Sequence, residues 1–384
     1  MRTIKINIII WLFLLICLSQ LSGQTIKDYK QSYYLHTLAD TSLNPSYKKF
    51  INFWIDFLYT EKDSMRRIYW NPNDIKRWGN EYSLFYYGFS QYPLFQLLKY
   101  FNPYILSVYN NNEFCQITTA FWNFKFTPSD SSAKLNSNPF CIVDVGIYEK
   151  NGHLYLTNLF DRRTAGWEKF SLGKINYIVE PTLKPDYKQA KEAVSFTDSL
   201  SRLFNSQYDS ITYVVCSTPN ELGYLIGFDF FFTGFTNGKT YHEGRTILSG
   251  LGTFYYPHEL AHLIIDPILK VGKFYGEGLT TYFGGSGNKS YIQLLPEFKK
   301  NYPIITDSIF FEILKYPNSP SAYTLGALVV EYIYRNQGIN GLKKLSIKKS
   351  DAIDFINYLC EMNGIKKDTL FKEINKRLNL IEIK

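Results

Sequence analysis

Histidine and cysteine are scarce in this chain: five of each stand among 384 residues. The cysteines lie far apart and form no CxxC pair, which excludes a structural zinc knot. No arginine-rich or aromatic-interleaved strip is present. The basic pairs Lys343-Lys344, Lys348-Lys349 and Lys366-Lys367 sit among apolar residues, as solvated helix faces do, so nucleic acid is not an expected partner. After Leu18 no apolar run is long enough for a transmembrane helix, and no stable membrane span is expected. Internal repeats and long low-complexity segments are missing too. With 45% hydrophobic and only 20% charged residues, the chain can build a sizeable core and is not globally disordered. None of these features specifies an oligomeric state.

What is present begins with an export signal. Arg2 and Lys5 give a positive start, an apolar run follows from Ile8 to Leu18, and Ser19, Gln20, Ser22 and Gly23 close it. The run is too short to span a bilayer comfortably, so residues 1–23 read as a cleaved signal peptide and the mature chain as periplasmic or extracellular. The bulky Ile16 before Cys17 argues against a lipid anchor there. Losing Arg2 and Lys5 takes the formal charge from +8 to +6. In an exported chain Cys115, Cys141, Cys216 and Cys360 could form disulfides in three full connectivities, or could be buried thiols. Aromatics reach 18%, with 32 Tyr and 30 Phe, and point to an aromatic core rather than a carbohydrate-binding surface.

Residues 24–170 read as a mixed α/β accessory region. Helical patterns at 47–59 and 92–100 precede strand-like runs at 141–148 and 153–156, and no motif there carries chemistry. The pattern changes near Ile175. A strand over 175–179 leads to a helix over 187–204, a strand over 211–216 and a helix from Pro219 through Leu225. A Phe-rich and Gly-rich stretch, 227–244, precedes the strand Arg245–Ser249, and Gly250 and Gly252 break the chain after it. From there the sequence is almost all helical. Strands first and helices after is an α+β plan, with 171–384 as the catalytic domain.

The chemistry sits in Phe254-Tyr-Tyr-Pro-His-Glu-Leu-Ala-His-Leu-Ile-Ile265. His258-Glu259-Leu260-Ala261-His262 is an HExxH pattern. On a helix, residues four apart share a face, so both imidazoles can reach one Zn²⁺. Glu259 falls beside the metal and can take a proton from an acidified water. Leu260, Leu263 and Ile264 supply an apolar face, and Pro257 suits the first turn. A zinc peptidase needs three protein ligands and an open position. Glu277, in Tyr275-Gly-Glu-Gly-Leu-Thr-Thr-Tyr282, comes fifteen residues after His262, which leaves room for a turn and an antiparallel helix. Gly278 is expected to let that helix pack closely beside the first. Asp266, four residues past His262, reads equally as an acceptor that orients this ligand or as a helix-end Asp.

HExxH followed by Glu-Gly-Leu-Thr-Thr-Tyr resembles the gluzincins, the clan of thermolysin and aminopeptidase N, over roughly residues 175–350. The Glu-Gly-Leu-Thr-Thr-Tyr run is closer to the aminopeptidase N branch. The resemblance implies a mixed sheet lobe, an active-site helix and a helical C-terminal lobe, with one Zn²⁺ per chain on His258, His262 and Glu277. Tyr323-Thr-Leu-Gly-Ala327 is similar to the Tyr-x-x-Gly-Ala helix of aminopeptidase N relatives, which implies that the Tyr323 hydroxyl stabilises the oxyanion. It also implies a strand near the site that pairs with extended substrate, for which Arg245–Ser249 is the candidate. His242 reads as a loop histidine, with oxyanion donation as its alternative role. The Gly-x-Met-Glu-Asn element that grips a substrate amino terminus in that branch is missing, and Gly276 stands where Asn is usual.

The expected function is therefore an exported zinc-dependent peptidase acting on peptide or protein substrates, with Glu259 as general base. The alternative is a non-catalytic surface or binding protein that keeps a peptidase-like fold, and a third reading is hydrolysis of a non-peptide amide or ester. Glu259 favours the first, because a degenerate relative tends to lose the base or a ligand.

Overall fold

A computed structural model describes residues 33–42, 44–60, 63–85, 98, 100–111, 114–122, 139–270, 272–344 and 352–382. The expected signal peptide, Cys17, most of the helical pattern at 92–100 and Lys348-Lys349 lie outside them. The protein is α+β and divides into two compact units. One comprises the described residues up to Ile75, with 83–158 and 227–232; the other comprises 76–82, 159–226 and 233–382. The junction expected at 170/171 falls inside a strand of the second unit.

In the first unit, β1 (Tyr34–Leu35), β2 (Asn102–Asn110), β3 (Cys115–Trp122), β4 (Cys141–Lys150) and β5 (His153–Thr157) lie in that order. The ninth strand of the chain, β9 (Phe228–Phe231), also pairs with β4. The β4–β5 hairpin turns on Asn151-Gly152, whose φ values of 53° and 78° are those a tight two-residue hairpin turn requires. Helix α1 (Tyr47–Leu58) buries Phe50, Ile51, Trp54, Ile55, Phe57 and Leu58. The indole N–H of the buried Trp54 donates to Thr119 Oγ1 at 2.9 Å, so the polar end of a large apolar side chain is satisfied inside the core. The aromatic richness of the sequence goes into such interiors: Trp54 also stacks on Phe57.

The second unit is built on β6 (Glu168–Leu172), β7 (Ile175–Val179), β8 (Ile211–Val215), β10 (Gly238–Tyr241) and β11 (Thr246–Ser249), in the order β10-β11-β8-β7-β6. β7, β8 and β11 run parallel, while β6 and β10 are antiparallel edges. Helix α2 (Tyr187–Phe204) is the crossover between β7 and β8. Asp186 caps it by accepting from the Lys188 and Gln189 N–H groups, and Asn205 ends it in the left-handed conformation. Alternation along β7 puts Ile175, Tyr177 and Val179 into the core.

Helix α3 (Pro257–Leu269) carries the HExxH residues and serves two cores at once. Leu260 and Leu263 join the sheet-side cluster, whereas Ala261, Ile264, Ile265 and Leu269 join a helical cluster. The apolar face expected from Leu260, Leu263 and Ile264 is thus split between two layers, and burial on both sides leaves the helix little freedom to shift.

The helical layer comprises α4 (Lys273–Gly284), α5 (Tyr291–Asn301), α6 (Asp307–Leu314), α7 (Pro320–Lys344, broken at Gly338), α8 (Ala352–Met362) and α9 (Lys367–Asn379). The partner expected for Gly278 is corrected here. Gly278 meets Gly326 of α7, where an added Cβ would come within 2.5 Å of the Gly326 carbonyl carbon. Close approach to α3 is made by Gly284, whose Cβ would lie 2.5 Å from the Pro257 carbonyl oxygen. Cys115, Cys141, Cys216 and Cys360 are buried free thiols, and burial pushes the Cys115 thiol up to about 12. Among the described residues no helix is long and apolar enough to cross a membrane.

Candidate metal centre

Tyr256 precedes α3 and Pro257 opens it, where the missing N–H has no intrahelical partner to lose. One turn on, His258 and His262 present their rings to each other with centroids 4.8 Å apart. Helix α4 returns alongside α3, and Gly284 at its end lies against Pro257 and His258. This brings Glu277 opposite both rings. Its Oε2 lies 3.4 Å from His258 Nε2 and 3.5 Å from His262 Nε2. One atom from each of the three side chains falls within 4.8 Å of the others.

The outer nitrogen of each ring is already committed. His258 Nδ1 lies 2.7 Å from the Gly285 carbonyl oxygen, which can only accept, so Nδ1 carries the hydrogen. His262 Nδ1 lies 2.8 Å from Asp266 Oδ2 and donates to that carboxylate. In the neutral tautomers both Nε2 lone pairs therefore point inward, as metal coordination needs. Two imidazole nitrogens and a carboxylate oxygen are the donor set of a catalytic zinc site. Tetrahedral bonds of about 2.0–2.1 Å put ligand atoms about 3.3–3.4 Å apart, close to the two separations from Glu277 to the histidines. The three side chains fit a Zn²⁺ ion on donor chemistry and on spacing.

With no metal bound, the surrounding carboxylates favour a protonated His262. Burial alone would lower the His262 pKa, but Asp266 and Glu277 outweigh it and hold the imidazole well above its ordinary range. Burial would raise both carboxylates. The neighbouring histidines win instead, bringing Asp266 down to about 2 and Glu277 well below the usual carboxylate range. A metal must displace the His262 proton, so uptake weakens toward acid pH.

Glu259 is buried beside this cluster. Thr240 on β10 lies with Oγ1 2.7 Å from Glu259 Oε2 and 3.0 Å from the Glu259 carbonyl oxygen. Tyr323, in the first turn of α7, sets its ring 6.2 Å from the His258 ring at an interplanar angle of 22°. The Gly278–Gly326 crossing explains that placement. It joins α4 to α7 one residue after Glu277 and three residues after Tyr323, so both side chains are fixed by the same contact.

All five residues singled out in the sequence, His258, Glu259, His262, Glu277 and Tyr323, are brought together. Of the two readings of Asp266, the acceptor that orients His262 is the one found. Its Oδ2 also lies 3.3 Å from His242 Nε2, so the histidine read as idle is tied to the outer shell. The strand expected to lie open beside the site is corrected: β11 is interior, paired with β10 on one side and β8 on the other. β10 is an end strand of this sheet and stops one residue before His242.

Two participants escaped the sequence reading. Gly285 has φ +74°, and a Cβ there would lie 2.1 Å from the Lys289 carbonyl oxygen, so only glycine can carry this carbonyl to His258. Its signal was available, since Gly284-Gly285 after a helical pattern is a helix stop. Thr240 gave no local signal at all.

Neither the models of known protein families nor the curated proteins contain a match to this chain.

Proposed function

We propose that the chain is a zinc-dependent peptidase of the gluzincin type, exported as its first residues suggest, with a gluzincin-like catalytic domain. One observation carries the reading. Two histidine nitrogens and a carboxylate oxygen converge with their outer partners already fixed, and the residue after the first histidine is a glutamate held beside them. A Zn²⁺ bound by His258, His262 and Glu277 would acidify a water molecule and polarise the scissile carbonyl.

The chain's own residues do the remaining work. Glu259 accepts the water proton and passes it to the leaving amine, a task for a carboxylate fixed within reach of both. Tyr323 donates its phenolic hydrogen to the carbonyl oxygen as negative charge builds there. Asp266 keeps His262 in the coordinating tautomer and raises its basicity.

The test is a mixed peptide library incubated with zinc-loaded protein and read by mass spectrometry. Cleavage abolished by a chelator is the expected result. Tyr323→Phe removes only a hydroxyl, so fold and metal should survive while kcat drops ~10²–10³-fold and KM changes little. A fully zinc-loaded wild type that cuts nothing would favour the binding-protein reading. Equal cutting by Tyr323→Phe would place the oxyanion donor elsewhere.

A further inference from the structure

Strand β10 is shaped around Glu259 in a way the zinc ligands do not require. Residues 238 and 240 share one face of that strand, and both meet α3. At Gly238 an added Cβ would stand 2.9 Å from Glu259 Cγ and 2.5 Å from Tyr256 Cε1. The missing side chain is therefore what lets the strand approach the glutamate. Two residues on, the buried Thr240 places its hydroxyl 2.7 Å from Glu259 Oε2. The other carboxylate oxygen, Oε1, has no hydrogen-bond partner among the described residues and is not among their oxygens sealed from solvent.

We propose that Thr240 is a positioning residue for Glu259, holding Oε2 so that Oε1 faces the reacting water, with Gly238 clearing the space this requires. The inference rests on the reading of Glu259 as the base. A glutamate side chain has three rotatable bonds, and only a fraction of its conformers put an oxygen where a proton can be taken. One strong hydrogen bond from a rigid strand selects among them before substrate arrives. A hydroxyl suits both stages of the transfer. It carries one hydrogen, donated to Oε2 while Glu259 is a carboxylate. Once Glu259 holds the water proton on Oε1, Oε2 remains an acceptor and the hydroxyl goes on donating to it, so the carboxyl group keeps its place through both halves of the transfer. Valine matches threonine in shape and cannot donate.

The experiment compares wild type, Thr240→Val, Thr240→Ser and Gly238→Ala, each with zinc content, zinc affinity by chelator competition, melting temperature, and kcat and KM on a peptide the wild type cleaves. A hydrogen bond to a charged group sets the scale: Thr240→Val should lose roughly 10- to 100-fold in kcat with KM nearly constant. Its zinc affinity and melting temperature should match wild type, and Thr240→Ser should recover most of the rate. Crystal structures of metal-free wild type and Thr240→Val give a second readout, with the Glu259 carboxylate in a different rotamer in the variant. Thr240→Val at the wild-type kcat, or with Glu259 unmoved, overturns the proposal. Should that variant fail to fold, Gly238→Ala decides: a fall in kcat with zinc retained supports a strand face fitted to Glu259, and an unchanged kcat refutes it. A wild type that holds zinc but cleaves nothing refutes the reading of the site, and the role of Thr240 falls with it.

Discussion

Glu259→Gln should keep its zinc and lose at least ~10²-fold in hydrolysis. The substitution preserves length and polarity, and a glutamine carbonyl oxygen can still accept the Thr240 hydroxyl hydrogen. What it removes is the ability to take a proton. Glu259 is no part of the ligand set, because the three converging atoms belong to His258, His262 and Glu277. Metal content and rate should therefore separate: elemental analysis at the wild-type level, turnover collapsed. A variant that hydrolyses at the wild-type rate would remove Glu259 as the base, and one that loses its zinc would show that the glutamate supports the metal instead.

Glu331→Ala should strongly destabilise the second unit. Glu331 lies on α7 and is only 4% exposed. Its carboxylate accepts from Tyr291 at 2.6 Å, from Arg377 Nε at 2.9 and 3.0 Å, and pairs with Arg335 at 2.6 Å. One residue thereby ties α5, α7 and α9 together. Arg335 is largely exposed and can return to water, but the Arg377 side chain is 18% exposed and would keep a buried, unpaired charge. Breaking such a group by removing one partner costs about 3–5 kcal/mol. For a unit of this size that is a fall of roughly 10 °C in melting temperature. Calorimetry of wild type and variant decides it, and an unchanged melting temperature would mean that the pairs contribute nothing net.

What was legible in the sequence follows the range of the interactions involved. Helix α2 begins at Tyr187 and ends at Phe204 as expected, because its cap at Asp186 and its apolar spacing lie within the segment. The same holds for β7 and for the short helix from Pro219 to Leu225. HExxH was legible for the same reason, since one turn of one helix fixes the two histidines. Non-local facts were not. Sheet order made β11 interior and put β10 at the end of the sheet, and no pattern within either strand distinguishes them. Gly278 was recognised as a close-packing position, but its partner Gly326 is set by how α7 crosses α4. Phe228–Phe231 returns to pair with β4, so the division into units is discontinuous where a single cut was expected. Thr240 belongs to the same class, nineteen residues before Glu259 in sequence and joined to it through sheet register alone.

The central claim is that His258, His262 and Glu277 hold one zinc ion, and elemental analysis of the protein, purified without added metal or chelator, tests it most directly. The three-ligand site predicts about one Zn²⁺ per chain in wild type, and little or none in His262→Ala with the fold retained by circular dichroism. A wild type without zinc that also fails to take it up on titration, or a His262→Ala variant that keeps its full complement, would contradict the account.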